Sequence, residues 1–195
     1  MRIFLLEPFF GESHKSWAKG LQRNSRHQVH ILSLPDRHWK WRMHGGAVSL
    51  ADQMQKLEPP DLILATDMLD LATFCGISRL DPSIPRIVYF HENQLTYPWS
   101  PTDPDPALKR DNHYSWINFT SALAADHVLF NSNFHRQEFL NALGGFLDQF
   151  PDHHNKHEIS TIRQRSSVLH LGIDLPGFSE KERGVKPIFL WNHRW

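Results

Sequence analysis

The sequence predicts an α/β domain, a doubly wound parallel sheet, and three observations carry that prediction. Short runs of apolar, β-branched or aromatic residues recur along the chain, as in RIFLLEP at 2–8, DLILAT at 61–66 and IVYF at 87–90. These runs are continuous, which is the pattern of strands covered on both faces. Segments with helical spacing separate them, and each strand run ends in proline or in a polar loop.

The first strand, 2–8, is followed by the loop Phe9-Phe10-Gly11-Glu12-Ser13, with Ser13 placed to cap a helix through about Leu21. An amide-rich helix start of this kind faces an anion well, although Gly11 alone makes no GxGxxG fingerprint. QVHILSL at 28–34 is the second strand. RHWKWRMH at 37–44 then interleaves cations with two tryptophans, as single-stranded nucleic acid requires: charge for phosphate and indole faces for bases. The alternative is an amphipathic loop with one indole in the core. Gly45-Gly46 breaks this run, and helical spacing resumes from Ala47 to Leu57.

Glu58-Pro59-Pro60 is a hinge before the third strand, 61–66, after which Asp67 caps a helix to about Cys75. Cys75, the single cysteine, reads as a small buried filler. The fourth strand, 87–90, runs directly into His91-Glu92-Asn93-Gln94. Open α/β sheets bind ligands at the carboxyl ends of their strands. An imidazole, a carboxylate and two amides there can donate, accept and move a proton. The alternative is a strand-end turn that only satisfies backbone and water. WSPTDPDP at 99–106 is a proline-rich surface loop beside that edge, placed to act as a flap or as a plain connector. A helix over 111–125 and a strand over 126–131 follow. Asn131-Ser132 then opens a helix over 134–143 that Gly144-Gly145 ends. Asp148, Asp152, His153, His154 and His157 cluster in the next loop without zinc-site spacing, so no metal is expected. SVLHLGI at 167–173 is the sixth strand.

The 195 residues carry zero formal net charge, so no bulk basic field announces a nucleic-acid partner. One cysteine excludes an internal disulfide, and no apolar run approaches the roughly 20 residues that span a bilayer. Met1-Arg2 leads straight into a strand, and a cytoplasmic location is the expectation. A charged linker, 179–186, precedes a last strand, PIFLW at 187–191. A strand there has no following helix, which suggests a longer two-domain protein of which 1–178 is the first domain and 187–195 opens the second. An exposed interdomain face would favour self-association.

Several stretches are similar to one family. They are FLLEPFFGESHK at 4–15, RHWKWR at 37–42, VYFHENQLTYP at 88–98, ADHVLFNSNFHRQEFL at 125–140, FPDH at 150–153 and WNHRW at 191–195. Together they resemble the tRNA-queuosine mannosyltransferases, and the architecture resembles the Rossmann-like N-terminal half of a GT-B glycosyltransferase. The resemblance implies retaining transfer of mannose from a nucleotide sugar, GDP-mannose, to a cyclopentenediol hydroxyl of queuosine in a tRNA anticodon, with no cofactor and no obligatory metal. The N-terminal domain would hold the acceptor and the C-terminal domain the donor nucleotide, so this stretch alone should not turn over. It further implies that Gly11, Glu12 and Ser13 approach the donor diphosphate, that His91 bonds a hydroxyl of the transferred sugar, and that Glu92 orients the acceptor hydroxyl. Trp39, Lys40, Trp41 and Arg42, with Asn93 and Gln94, would contact acceptor or RNA, and Asn131 and Ser132 would line the cleft floor. Asp152 and His153 match the family without an evident role. Two other readings are a GT-B enzyme with a lipid or small-glycan acceptor, in which Trp39 and Trp41 flank an apolar groove, and a non-catalytic RNA- or nucleoside-binding module.

Overall fold

A computed structural model describes residues 1–172. Six strands, β1 (Arg2–Glu7), β2 (Gln28–Ser33), β3 (Leu62–Thr66), β4 (Arg86–Phe90), β5 (His127–Phe130) and β6 (Ser166–Val168), form one sheet in the order β2-β1-β3-β4-β5-β6. Every pairing is parallel. The helices are α1 (Glu12–Asn24), α2 (Trp39–Met54), α3 (Leu71–Ser78), α4 (Asn112–Ala124), α5 (Asn133–Leu147) and α6 (Glu158–Gln164). From β1 the chain moves outward to β2, whereas from β3 it moves the other way to β4. The order therefore reverses between β1 and β3, and the crevice for a ligand opens there.

The two faces of the sheet are covered unequally. Phe4, Leu6, Ile63, Ala65, Val88, Phe90, Val128 and Phe130 bury themselves against α2 to α6 in the main core. Leu5, Val29, Leu64 and Tyr89 face Trp17, Ala18 and Leu21 of α1. Successive strand residues point to opposite faces, so burial on both sides explains why the strand runs are apolar without a break.

Several boundaries differ from the sequence expectation, each for a local reason. Gly11, not Ser13, is the N-cap of α1, and Ser13 lies inside its first turn. Asp70 caps α3, its Oδ1 accepting the Thr73 N–H at 2.9 Å, while Asp67 is buried elsewhere. α2 starts at Trp39, so the tryptophan-rich stretch is helical and Gly45-Gly46 sits within it. The second of these glycines answers to packing, because a Cβ on Gly46 would lie 2.8 Å from Pro8 Cβ. Its absence lets α2 close on the exit of β1. α5 likewise continues through Gly144-Gly145 to Leu147, held by Leu143, Phe146 and Leu147 in the core. α6 was not anticipated, and β6 is shorter than 167–173. Cys75 is half-buried against the main core, as a filler would be. The proposed linker, the strand at 187–191 and the domain boundary at 178 lie outside the described residues. Among the described residues, no helix is long and apolar enough to cross a membrane.

Candidate active site

The carboxyl ends of β1 to β4 open into a cavity of about 480 Å³. Phe9, Ser13 and His14 enter it from the β1 loop and α1, Trp39 from α2, and Met68 from the β3 loop. Glu92, Gln94, Tyr97, Trp99 and Asp103 enter from the segment after β4. Loops remote in sequence thus meet along one rim of the sheet, where the strand order reverses.

Behind the rim lies a buried polar cluster. Glu7, the last residue of β1, is fully buried. Its Oε1 accepts the Phe9 N–H at 2.9 Å, and its Oε2 lies 2.9 Å from His14 Nδ1. Burial works against a charge on His14. The hydrogen bond and charge of Glu7 outweigh it, helped by Asp67 and Glu92, and push the imidazole up to about 9. His14 is therefore an imidazolium at neutral pH, on the cavity wall. His91 has the opposite fate. Burial, then the charges of His14 and His135, push it down to about 3, so it stays neutral. Its ring packs 4.5 Å from Trp17, 4.8 Å from Tyr89 and 4.4 Å from His14, centroid to centroid. Its buried Nε2 has no hydrogen-bond partner among the described residues. Asp67, also buried, is raised by desolvation and by the neighbouring carboxylates Glu92 and Glu7, against the pull of His14.

The HENQ loop is anchored through its backbone. Asp67 Oδ1 accepts the His91 N–H at 2.8 Å, and Asn131 Nδ2 donates to the His91 carbonyl at 2.7 Å. Asn118 Oδ1 accepts the Gln94 N–H at 2.7 Å, and Ser115 Oγ donates to the Gln94 carbonyl at 2.8 Å. Asn93 folds its amide into its own turn, Oδ1 accepting from Leu95 and Thr96 N–H and Nδ2 donating to Thr96 Oγ1, all at 3.0 Å. With the backbone fixed from three other elements, Glu92 and Gln94 present their side chains from a rigid support. Asn93 and Asn131 are thus holders of the loop, and Ser132 caps α5 by accepting the His135 N–H. Contact between these three and an acceptor, as the resemblance implies, would have to compete with the bonds they already make.

The opposite wall is aromatic. Trp39 lies 5.8 Å from Trp99 and 5.1 Å from Tyr114. Lys40 sits over both indoles, 5.7 and 5.5 Å from their centroids, and bonds Asp103 at 2.7 Å as well as Asp105. The proline-rich loop is therefore strapped to α2, and the Lys40 charge is matched within the chain rather than offered to phosphate. Trp41 leaves this wall altogether: it is 64% exposed on the outer face of α2. Arg42 turns back, its Nε donating to the Pro35 carbonyl. Helical geometry explains the division, since neighbouring residues point about 100° apart around a helix. Asp152 and His153 are exposed and pair with each other, and neither lines the cavity.

Among the described residues, Glu7, His14 and His91 offer three ligand atoms within 4.8 Å of one another. A cation there would have to displace the proton that His14 holds toward Glu7, so the charge balance already present opposes it. Sequence reasoning missed Glu7, His14, Asp67 and Trp99. A carboxylate within an apolar strand, directly before proline, was the available signal for Glu7.

A family model described as tRNA-queuosine alpha-mannosyltransferase N-terminal matches residues 2–173. A tRNA-queuosine alpha-mannosyltransferase of Drosophila melanogaster is 33% identical over 205 aligned residues, covering 99% of this chain and 53% of the relative. The chain spans about half the length of that relative. The match extends from β1 to the end of the described sheet and takes in every loop that builds the cavity, and on it this chain belongs to the tRNA-queuosine alpha-mannosyltransferase family, as its N-terminal domain.

Proposed function

We propose that this chain is the acceptor-side domain of an enzyme that moves mannose from GDP-mannose to a hydroxyl of queuosine in tRNA, with retention at the anomeric carbon. The observation that carries the proposal is the cavity wall, on which a cation, His14, and a carboxylate, Glu92, stand beside an indole pair, Trp39 and Trp99.

In sugar transfer the bond between the anomeric carbon and the donor diphosphate breaks, a bond to the acceptor oxygen forms, and the acceptor's hydroxyl proton passes to the departing diphosphate. Negative charge grows on the diphosphate as it leaves. The His14 imidazolium and the first amides of α1, which follow its N-cap Gly11, provide positive charge on that side of the cavity. Glu92 accepts a hydrogen bond from a hydroxyl and aligns its oxygen lone pair, which is a carboxylate's usual task in sugar chemistry. Aromatic faces pack against the apolar faces of sugars and against bases, the part assigned to Trp39 and Trp99. His91, neutral and enclosed behind His14, shapes the electrostatics of the pocket; its Nε2 is buried and does not line the cavity, so a direct bond to a sugar hydroxyl is not part of this reading. A cytoplasmic setting, where tRNA is met, suits a domain with one free cysteine.

The test uses the full-length protein with GDP-mannose labelled in the sugar, offered to tRNA with and without queuosine. Label should enter only the queuosine-bearing tRNA. Equal labelling of both, or of neither, contradicts the proposal.

A further inference from the structure

A second concavity, of about 410 Å³, lies outside the sugar cavity and is lined by Lys109, Arg110, Asn112, His113, Trp116 and Phe150. Nothing in the proposed sugar chemistry uses it. We infer that this groove, between the strap loop and the first turns of α4, is a docking site for single-stranded RNA flanking the nucleotide that receives the sugar. The inference rests on the functional reading above and adds to it where the rest of the acceptor lies.

Lys109 and Arg110 are exposed, and neither side chain makes an ion pair among the described residues. The nearby carboxylates of Asp105 and Asp148 are engaged by Lys40 and Lys156, so two cations stand largely unmatched, with Asp111 as the acid beside them. α4 begins at Asn112, within the groove's lining, and brings the positive end of its dipole to the same place. Trp116 packs against Phe119 at 5.4 Å and Phe150 at 5.0 Å, centroid to centroid, yet stays 38% exposed, so part of its indole stands open in the groove's lining. Cations that follow a backbone beside aromatic faces that stack bases are the two requirements of single-strand binding. Unpaired loop bases are what proteins stack when they read RNA.

Tyr114 links the two sites. One side of its ring meets Trp39 and Trp99 of the sugar cavity, at 5.1 and 5.9 Å. Its other neighbours are His113, at 3.8 Å, and His44, at 5.8 Å. The His44 and His113 rings stack at 5.0 Å, joining α4 to the face of α2 that carries the exposed Trp41. A strand with one nucleotide in the cavity would meet the groove within a single aromatic layer. This also replaces the lost part of the sequence expectation. Lys40 and Trp39 turn inward, and beside the strap loop the cations without an ion pair among the described residues are Lys109 and Arg110.

The experiment measures equilibrium binding of queuosine-containing tRNA to full-length enzyme across a salt series. It compares wild type with the paired change Lys109→Gln and Arg110→Gln, and separately with Trp116→Ala. The paired change should weaken binding about tenfold at low salt and lower the salt slope by about two. Trp116→Ala should weaken binding by about five- to a hundredfold. Both cations are exposed, so the paired variant should keep the wild-type unfolding midpoint and its rate of mannose transfer to the free queuosine nucleoside, too small to reach the groove. Unchanged tRNA affinity and salt slope in the paired variant, with wild type binding tRNA, overturns the groove alone. Unchanged affinity together with an altered oligomeric state assigns the groove to protein contact and equally overturns it. Wild type that binds no tRNA overturns this inference and the functional reading together.

Discussion

His14 and His91 lie with ring centroids 4.4 Å apart, tilted 42° to each other, and are driven to opposite protonation states, one to about 9 and the other to about 3. The cause is the company each keeps. His14 reaches the buried Glu7, whereas His91 faces Trp17, Tyr89 and a neighbouring positive ring. A pair whose environments separate their protonation so widely divides the work of a site: one supplies charge, the other a neutral ring.

Stability should therefore peak near pH 6.5–7 and fall on both sides. His14 is raised in the folded state, so its contribution is complete below its unfolded value of about 6.5 and disappears as pH rises through about 9. His91 is lowered, so folding is penalised as pH falls below about 6.5 toward 3, where the unfolded ring takes a proton that the folded one refuses. Urea midpoints measured from pH 4 to 10 check this. His14→Gln should cost about 2–3 kcal/mol at pH 6.5 and flatten the alkaline limb, with the difference shrinking above pH 9. His91→Asn should flatten the acid limb. A wild-type midpoint that stays constant from pH 6 to 10 would refute the pairing of His14 with Glu7.

The two adjacent glycines of α2 should respond differently to the same substitution. Gly46→Ala places a methyl 2.8 Å from Pro8 Cβ, a ring that cannot swing aside, and should lower stability by about 1–3 kcal/mol. For Gly45→Ala the nearest atoms all belong to the Trp41 indole, at 2.7–2.9 Å, and that ring is 64% exposed and has room to swing outward. The gain in helix propensity, about 1 kcal/mol, should then leave Gly45→Ala near neutral or mildly stabilising. Thermal unfolding of the two variants settles the order.

Lys40 ties the strap to α2 through two aspartates, and its removal should be visible. Lys40→Ala leaves Asp103 and Asp105 facing each other without a cation. Limited proteolysis should then cut within 99–106 several times faster than in wild type, and the Michaelis constant for the acceptor should rise as the Trp39–Trp99 wall loosens. Identical proteolysis rates would mean that Lys40 does not hold the loop.

How much of this was legible in the sequence follows from the physics of each element. β1, β3 and β4 announced themselves because strands buried on both faces have no polar interruptions. The crevice followed, since parallel order and a polar exit after β4 leave little choice about where a ligand sits. The tryptophan-rich stretch misled in part. Its composition suits RNA, but helical geometry sends Trp39 inward, Trp41 outward and Lys40 to two aspartates more than sixty residues away. No local pattern reveals such a distant partner. The Gly45-Gly46 pair failed as a stop signal for the same reason: at Gly46 the need is space for Pro8, which only the tertiary structure supplies. Glu7 and Asp67 looked like strand-end and cap residues, and only their complete burial together makes them part of a charge cluster.

The central claim, that the rim around β4 is where sugar is transferred, is tested most directly by Glu92→Gln in the full-length enzyme. The change removes a charge from the cavity wall at almost constant volume. Mannose transfer to queuosine-bearing tRNA should fall by about a hundredfold or more, with the unfolding midpoint and tRNA affinity close to wild type. A variant that turns over at the wild-type rate would show that the chemistry takes place elsewhere.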